Sequence, residues 1–457
     1  MSVCDRAVTR LVRGAIGSVL FVALVAVAAE DAQAQQQNFG WGRSVGGIAI
    51  DANGLLTNAT VADQAEMRRL ALAAIEKVPD ALNKTSKLRK VSLRRLDAAI
   101  QKALEGGGQL PDTILYLAGL QQIRYVLAYP EKKDIVLVGP GEGWRVDQRG
   151  NVVGASTGRP VMLLDDLLVA LRSALSPNRA VITCSIDPTP EGLARLNRIA
   201  KQLTAADPQG AARMVEEQLG PQRISFTGVP ESSHFARVLV AADYRMKRIS
   251  MELEPAPIAG LPSFMQLMRG GRPGMQNMLP RWWLAPNYEP LLRDPEGMAW
   301  ELRGAAVKAL AENDYFNARG VRERVAPADP VSQRWADTFT RRYEDLAQAE
   351  PIFARLRNCM DLAIVGAIVA SQDLMGKAGC ALPMLTDGGA LRSAELPAPR
   401  QVASKASLVH KARRWTIAAG GVEIDPWTMV RQAQISPQLG AARAEADSRS
   451  ETTWWWD

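Results

Sequence analysis

Histidine is almost missing from this chain: His234 and His410 are the only two in 457 residues. The sequence also has no Cys-x-x-Cys pair and no His-Glu-x-x-His run, so the usual zinc ligand sets are absent and no metal centre is expected. Long apolar stretches are lacking too. Ala15–Ala29 and Cys359–Ala370 both fall short of the ~20 residues that cross a bilayer, and the second carries Asp361. Charge is not concentrated anywhere. The net +7 is spread along the chain, without the basic face that nucleic acid requires, so no nucleic-acid partner is expected. No G-x-x-x-x-G-K-[ST] loop is present, and nothing calls for a cofactor.

The first residues carry a strong signal. Arg6, Arg10 and Arg13 precede the uncharged run Ala15–Ala29, and Ala32-Gln33-Ala34 offers a small-residue cleavage site. Residues 1–34 therefore read as a signal peptide that sends the rest to the periplasm or cell envelope, an uncleaved anchor being the alternative. Cleavage removes three Arg and three acids, so the net charge stays at +7. A mildly basic exported protein suits acidic envelope polymers or other exported proteins as partners. Cys184, Cys359 and Cys380 remain, and export permits disulfides. Cys359 and Cys380 are the candidate pair, with a redox role as one reading; three separately buried thiols are the alternative.

The rest predicts a mixed α/β and α+β fold. Residues 35–109 read as a strand and a helical hairpin: a helix from Thr60 with the stripe Met67, Leu70, Ala71, Ala74, Ile75 and Val78, then a second with Leu93, Leu96, Ile100 and Leu104. Lys87, Arg89, Lys90, Arg94 and Arg95 read as the second helix's solvated face. Residues 110–250 alternate strand and helix from 161 on, as in an α/β domain with short hairpins. The Pro-, Gly- and Met-rich stretch 251–280 reads as a linker. Residues 281–430 predict an α+β domain with two packed helices, the first striped by Val331, Trp335, Phe339, Tyr343 and Leu346. Trp415–Ile424 suggests a hairpin turning at Ala419-Gly-Gly421, the same turn chemistry as Gly46-Gly47. Residues 431–457 read as a disordered tail ending in Trp454-Trp455-Trp456.

Gln121–Leu175 organises the candidates. Two apolar strands flank Pro130–Lys133, and a Gly/Pro loop carries Glu142 and Trp144. A tight hairpin at Gln148–Gly150 follows, then a helix with Asp165 and Asp166 in its first turn. Glu142, Trp144, Arg145 and the facing Arg159 form a candidate ligand-binding set: an indole among polar groups suits a sugar or a peptide, while a core plug is the other reading of Trp144. Gly139–Gly143 is a poor phosphate cradle, because Glu142 would repel the anion. Gly154-Ala-Ser-Thr-Gly158 matches G-x-S-x-G, but Pro160 delays the helix a nucleophile elbow needs. A serine hydrolase would pair Ser156 with His234; a glycosidase would draw paired carboxylates from Glu142, Asp147, Asp165 and Asp166.

Taken together, YPEKKDIVLVGPGEGWRVDQRGNVVG, TGRPVMLLDDLLVALR, HFARVLVAADYRMKRISM, RWWLAPNYEP, LRNCMDLAIVGAIVA and SKASLVHKARRWTIAAGGVEIDPW resemble an uncharacterised family of exported planctomycetal proteins, a domain of unknown function. The likeness runs from about Val45 to Trp427. It implies export and a shared fold, and it carries over no catalytic residue. The sequence thus points to an exported, non-enzymatic protein that binds or organises envelope components, with an exported hydrolase as the alternative.

Overall fold

The computed structural model describes residues 44–199, 207–269, 278–316, 322–325, 329–409, 414–448 and 456. Residues 1–34, which the sequence reads as a signal peptide, and His410 lie outside them. The fold is mixed α/β, as the alternation of strand and helical patterns predicts.

Thr60 caps helix α1 (Val61–Ala74) through a capping box with Asp63. The expected stripe is not an interior face, however: Ala71 is buried, while Leu70 and Leu72 are 42% and 48% exposed. Of the basic residues that follow, Lys87, Arg89 and Lys90 lie in strand β1 (Ser86–Ser92); Ser92 then caps α2 (Leu93–Glu105), which carries Arg94 and Arg95. Arg89 is buried, its guanidinium donating to the carbonyls of Leu82, Lys84 and Ala118 rather than to water. A strand thus separates the two helices expected to pair.

Strands β2 (Tyr125–Tyr129) and β3 (Asp134–Gly141) form the predicted hairpin, with Tyr129 opposite Asp134 and Lys133 in the left-handed region. β4 (Trp144–Val146) and β5 (Val152–Gly154) make the second, short one. Helix α3 (Leu164–Leu175) follows. β6 (Ile182–Asp187), α4 (Pro190–Ile199), α5 (Pro208–Leu219) and β7 (Gln222–Thr227) come next. The two helices expected from Pro190 and Asp207-Pro208 connect these strands, but β6 and β7 pair antiparallel instead of forming the parallel crossover that alternation suggests. Leu196, Val215 and Leu219 of that helical pair pack against Ala406, Ile417 and Ala419. Ser233 then caps α6 (His234–Ser250).

The Pro- and Met-rich stretch is no bare linker where it is described. It contains α7 (Phe264–Arg269), whose Phe264 and Met265 are buried. Phe264 begins an aromatic ladder: its ring lies 5.1 Å from Trp282, which lies 4.7 Å from Trp335, which lies 5.2 Å from Phe339. These rings join α7 to β8 (Met278–Tyr288) and α8 (Pro330–Arg341). Phe339 continues to Phe353 at 5.6 Å, reaching the long helix α10 (Pro351–Ser371) past α9 (Tyr343–Ala349). The first of the two packed helices the sequence implies is broken at Arg342, so its stripe divides between α8 and α9, and α10 is the second. From Leu362 to Ala370 α10 is apolar all round, and it is buried against α3 and α6. Among the described residues no helix is long and apolar enough to cross a membrane.

β9 (Ala299–Glu301), β10 (Gly304–Phe316) and β11 (Ala419–Ile424) complete the principal strands. The larger sheet has twelve described strands and runs through β7, β6, β11, β8 and β10 in that order. Strands from 110–250 and from 281–430 therefore alternate in one sheet, and the residues do not separate there into two domains. A smaller sheet places β9, β2, β3 and β1 side by side.

The two Gly-Gly pairs turn out to do different things. Gly46 and Gly47, with φ of +62° and +81°, make a tight turn between Ser44–Val45 and Ile48–Ile50. Gly420 and Gly421 lie inside β11, where a Cβ would come within 2.1 Å of the Trp282 carbonyl oxygen and 1.8 Å of that of Cys184. They let three backbones approach, so no hairpin forms there.

α11 (Pro426–Arg431) follows, and the tail is not disordered where it is described. α12 (Gln438–Ser448) sets Leu439 and Ala446 against Leu127, Tyr129 and Val138 of the smaller sheet, and Trp456 bridges Val91 on β1.

Candidate functional site

Glu142 closes β3 with a carboxylate only 1% exposed. It accepts from the amides of Ser156 and Thr157 at 3.2 and 2.9 Å, from the Thr157 hydroxyl at 2.5 Å and from Gln121 Nε2 at 3.1 Å. Burial alone would raise its pKa; the bonds from Thr157 and Ser156 outweigh it and hold the group below the ordinary carboxylate value. The Gly154–Gly158 turn is therefore wrapped around an internal anion. Trp144 is 4% exposed and meets Tyr116 edge-on, ring centroids 5.6 Å apart. It plugs the core. Arg145 and Arg159 sit at the surface, Arg145 donating to the Ala155 carbonyl and Arg159 pairing with Glu344 at 2.8 Å. Of the four residues proposed to hold a ligand, two are interior, and the set forms no binding face.

His234 owes its place to Ser233, whose hydroxyl accepts from the Ala236 amide and caps α6 so that His234 is its first residue. Its Nδ1 lies 2.9 Å from Asp166 in the first turn of α3, and its Nε2 lies 3.4 Å from Arg355 Nη1 on α10. A carboxylate only accepts, so Nδ1 carries the proton and Nε2 receives the Arg355 bond. Both ring nitrogens are engaged, and Ser156, held by Glu142, makes no hydrogen bond to the imidazole. The serine–histidine constellation does not form. The carboxylates are likewise each engaged by structural partners: Asp147 organises its own turn by accepting from the Arg149 and Asn151 amides, Asp165 accepts from Ala394, and Asp166 holds His234. Burial raises the Asp165 pKa.

Two further buried acids serve the interior. Asp361 accepts from the Tyr288 hydroxyl and, at 3.0 Å, from the Ile123 amide, and burial lifts its pKa to about 6. Arg357 acts on it electrostatically while pairing with Glu344. Asp243 meets Lys247 at 2.8 Å beneath β6 and β11, and burial again sets its pKa at about 6. Cys184, Cys359 and Cys380 are free and buried, which corrects the disulfide expectation: Cys359 lies within the packed face of α10, and Cys380 lies beyond the turn after the next short helix. Among the described residues no cluster of His, Cys, Asp and Glu could hold a metal ion.

An open cleft of about 510 Å³ lies elsewhere, where the α3–β6 connection, the end of α10 and the β11–α11 corner meet. That volume lies in the usual range of small-ligand sites. Val181, Trp427 and Val430 give it an apolar wall, and Arg179, Arg431 and Asp425 bring charge. Arg179 has φ +40°, a left-handed conformation that costs a non-glycine residue about 1 kcal/mol. Its guanidinium stands 5.7 Å from the centre of the Trp427 ring, whose N–H donates to the Ala180 carbonyl at 3.4 Å. Asp425 caps α11 and accepts from the Thr428 amide and hydroxyl at 3.0 and 2.6 Å; Arg431 donates to that same hydroxyl. The carboxylate is thus consumed locally. Among the described residues, neither arginine meets a carboxylate. Little in the sequence marks these residues as a set, because Arg179 and Ser371 lie far from Trp427 in the chain; the one local sign is Asp425-Pro426-Trp427, an indole in the first turn after a helix cap.

The model of a protein family of unknown function, DUF1598, matches residues 184–264, from β6 through α6 to α7. The match covers the β6–β7 pair and the His234 helix but not the Trp427 side of the cleft. No curated protein and no solved structure matches the chain.

Proposed function

We propose that the chain is an exported cell-envelope protein that binds its partner rather than transforming it, and that the Trp427 cleft is where it binds. The observation that carries this reading is the cleft itself, a half-buried indole beside two exposed guanidiniums at a corner of the larger sheet. The engagement of His234 at both nitrogens, and of Glu142 and Asp166 by structural donors, supports binding over acid–base chemistry. Export rests on Arg6, Arg10, Arg13 and the apolar run before Ala34, in keeping with the resemblance to exported planctomycetal proteins.

Two measurements test it. Expressed in a Gram-negative host, the product should fractionate outside the cytoplasm with Gln35 as its first residue by mass spectrometry; an intact amino terminus in the cytosol would sink the export claim. Detergent-solubilised envelope material passed over the immobilised chain should be retained, and Trp427→Ala should abolish retention. Equal retention by both proteins removes the cleft from the reading.

A further inference from the structure

The chemistry of the cleft also restricts what can fill it. The guanidiniums of Arg179 and Arg431 offer ten N–H donors between them. The only hydrogen bond these groups make among the described residues is from Arg431 to the Thr428 hydroxyl. The single carboxylate of the lining, Asp425, already accepts twice from Thr428. Ser371 and Gln372 at the end of α10 add small polar groups to the rim, Gln372 donating to the Ser371 hydroxyl at 3.4 Å. The helix end contributes at most about half a negative charge, less than the two cations opposite it. The cleft is therefore rich in donors and positive on balance, with an apolar wall along one side.

A ligand that answers all three features carries a carboxylate, several acceptor oxygens and an apolar face. A neutral saccharide would leave the arginines without an anion. An aliphatic acid would leave the rim unused. We infer that the cleft binds an acidic saccharide, its carboxylate forked by Arg431 and Arg179 and its ring face lying against Trp427 and Val430. Bidentate guanidinium–carboxylate pairing supplies the discrimination against neutral sugars. The left-handed Arg179 fits this role: a strained backbone holds a long side chain above the indole where the anion would enter. The scattered net charge of +7 favours the approach of such a polymer without fixing where it binds.

The inference rests on the binding reading above, so its test is built to fail separately. Trigalacturonate and maltotriose, of equal length, are titrated calorimetrically into the full chain and into R179Q, R431Q and W427A. Both arginines are exposed, so their replacement leaves the fold in place, and unchanged melting temperatures verify this. Trigalacturonate should bind at least about tenfold more tightly than maltotriose, and each Arg→Gln change should weaken it by about tenfold or more. That preference should shrink as salt rises. If maltotriose binds equally well and W427A abolishes both, the acidic class is wrong and the binding site stands. If neither sugar binds while envelope material is still retained through Trp427, the saccharide class is overturned and the binding reading survives. Trigalacturonate binding that no variant alters overturns the site.

Discussion

A carboxylate that is only 1% exposed stays ionised only when donors replace water, and Glu142 has four of them. Removing it with Glu142→Ala leaves the Ser156 and Thr157 amides without an acceptor, and should lower stability by about 1–3 kcal/mol in urea unfolding. Because its folded pKa lies below the ordinary 4.5, its contribution is present above that value and fades as pH falls through the depressed one. Asp361 behaves in the opposite sense. Its pKa of about 6 exceeds the ordinary 3.8, so between those values the folded state holds a proton that the unfolded state has released. Stability from this group is fully present below about 3.8 and declines as pH rises to 6, then levels off. Asp361→Asn keeps an acceptor for Ile123 and should flatten that decline; an unchanged pH profile would show the carboxyl does not titrate there. The thiols give a separate check. Burial holds those of Cys184 and Cys359 well above their ordinary pKa and that of Cys380 at about 11. Apart from Cys4, native protein should stay unlabelled by a thiol reagent at pH 8 and gain three labels on denaturation, with or without prior reductant.

Helix α10 shows how elements fit. From Cys359 to Ala370 its sequence is apolar on every side but for the buried Asp361, and only a helix surrounded by protein can be built that way in water. Gly366 is where α3 comes closest: a Cβ there would stand 2.6 Å from the Ala170 carbonyl oxygen and 3.0 Å from the Ala174 Cβ. Gly366→Val should force the two helices apart and cost about 1–3 kcal/mol, read as a shifted denaturation midpoint with unchanged slope. The converse case is β1. Lys87, Arg89 and Lys90 look like a solvated helix face, but a pattern of alternating long polar side chains also fits a strand beside β3, and the buried demands of three carbonyls on Arg89 decide in favour of the strand. α1 makes the same point in reverse. Its cap was legible at Thr60, and its burial was not, since an apolar stripe shows only that a helix has a face, and not that anything covers it.

At the scale of the whole molecule, segments distant in sequence close each other's surfaces. α12 lies over the smaller sheet, where Tyr129 donates to the Arg443 carbonyl at 3.0 Å and Arg443 donates to that of Ala128 at 3.0 Å. Deleting residues 432–457 should uncover Leu127, Tyr129 and Val138, lower the melting temperature and raise binding of a hydrophobic dye; a deletion with the parent melting temperature would show that the tail adds nothing.

Local chemistry was enough to write most of the elements into the sequence. The Pro130–Lys133 hairpin, the Thr60 cap, the Asp329-Pro330 and Pro351 helix starts and the strand at Arg281 all follow from short-range rules of backbone and period. Which elements meet was settled only in three dimensions, because burial, charge pairing and cleft formation depend on residues hundreds of positions apart. That is why Glu142 and Trp144, two positions apart and conspicuous in the chain, became interior, while Arg179 and Trp427, 248 positions apart, share an open face.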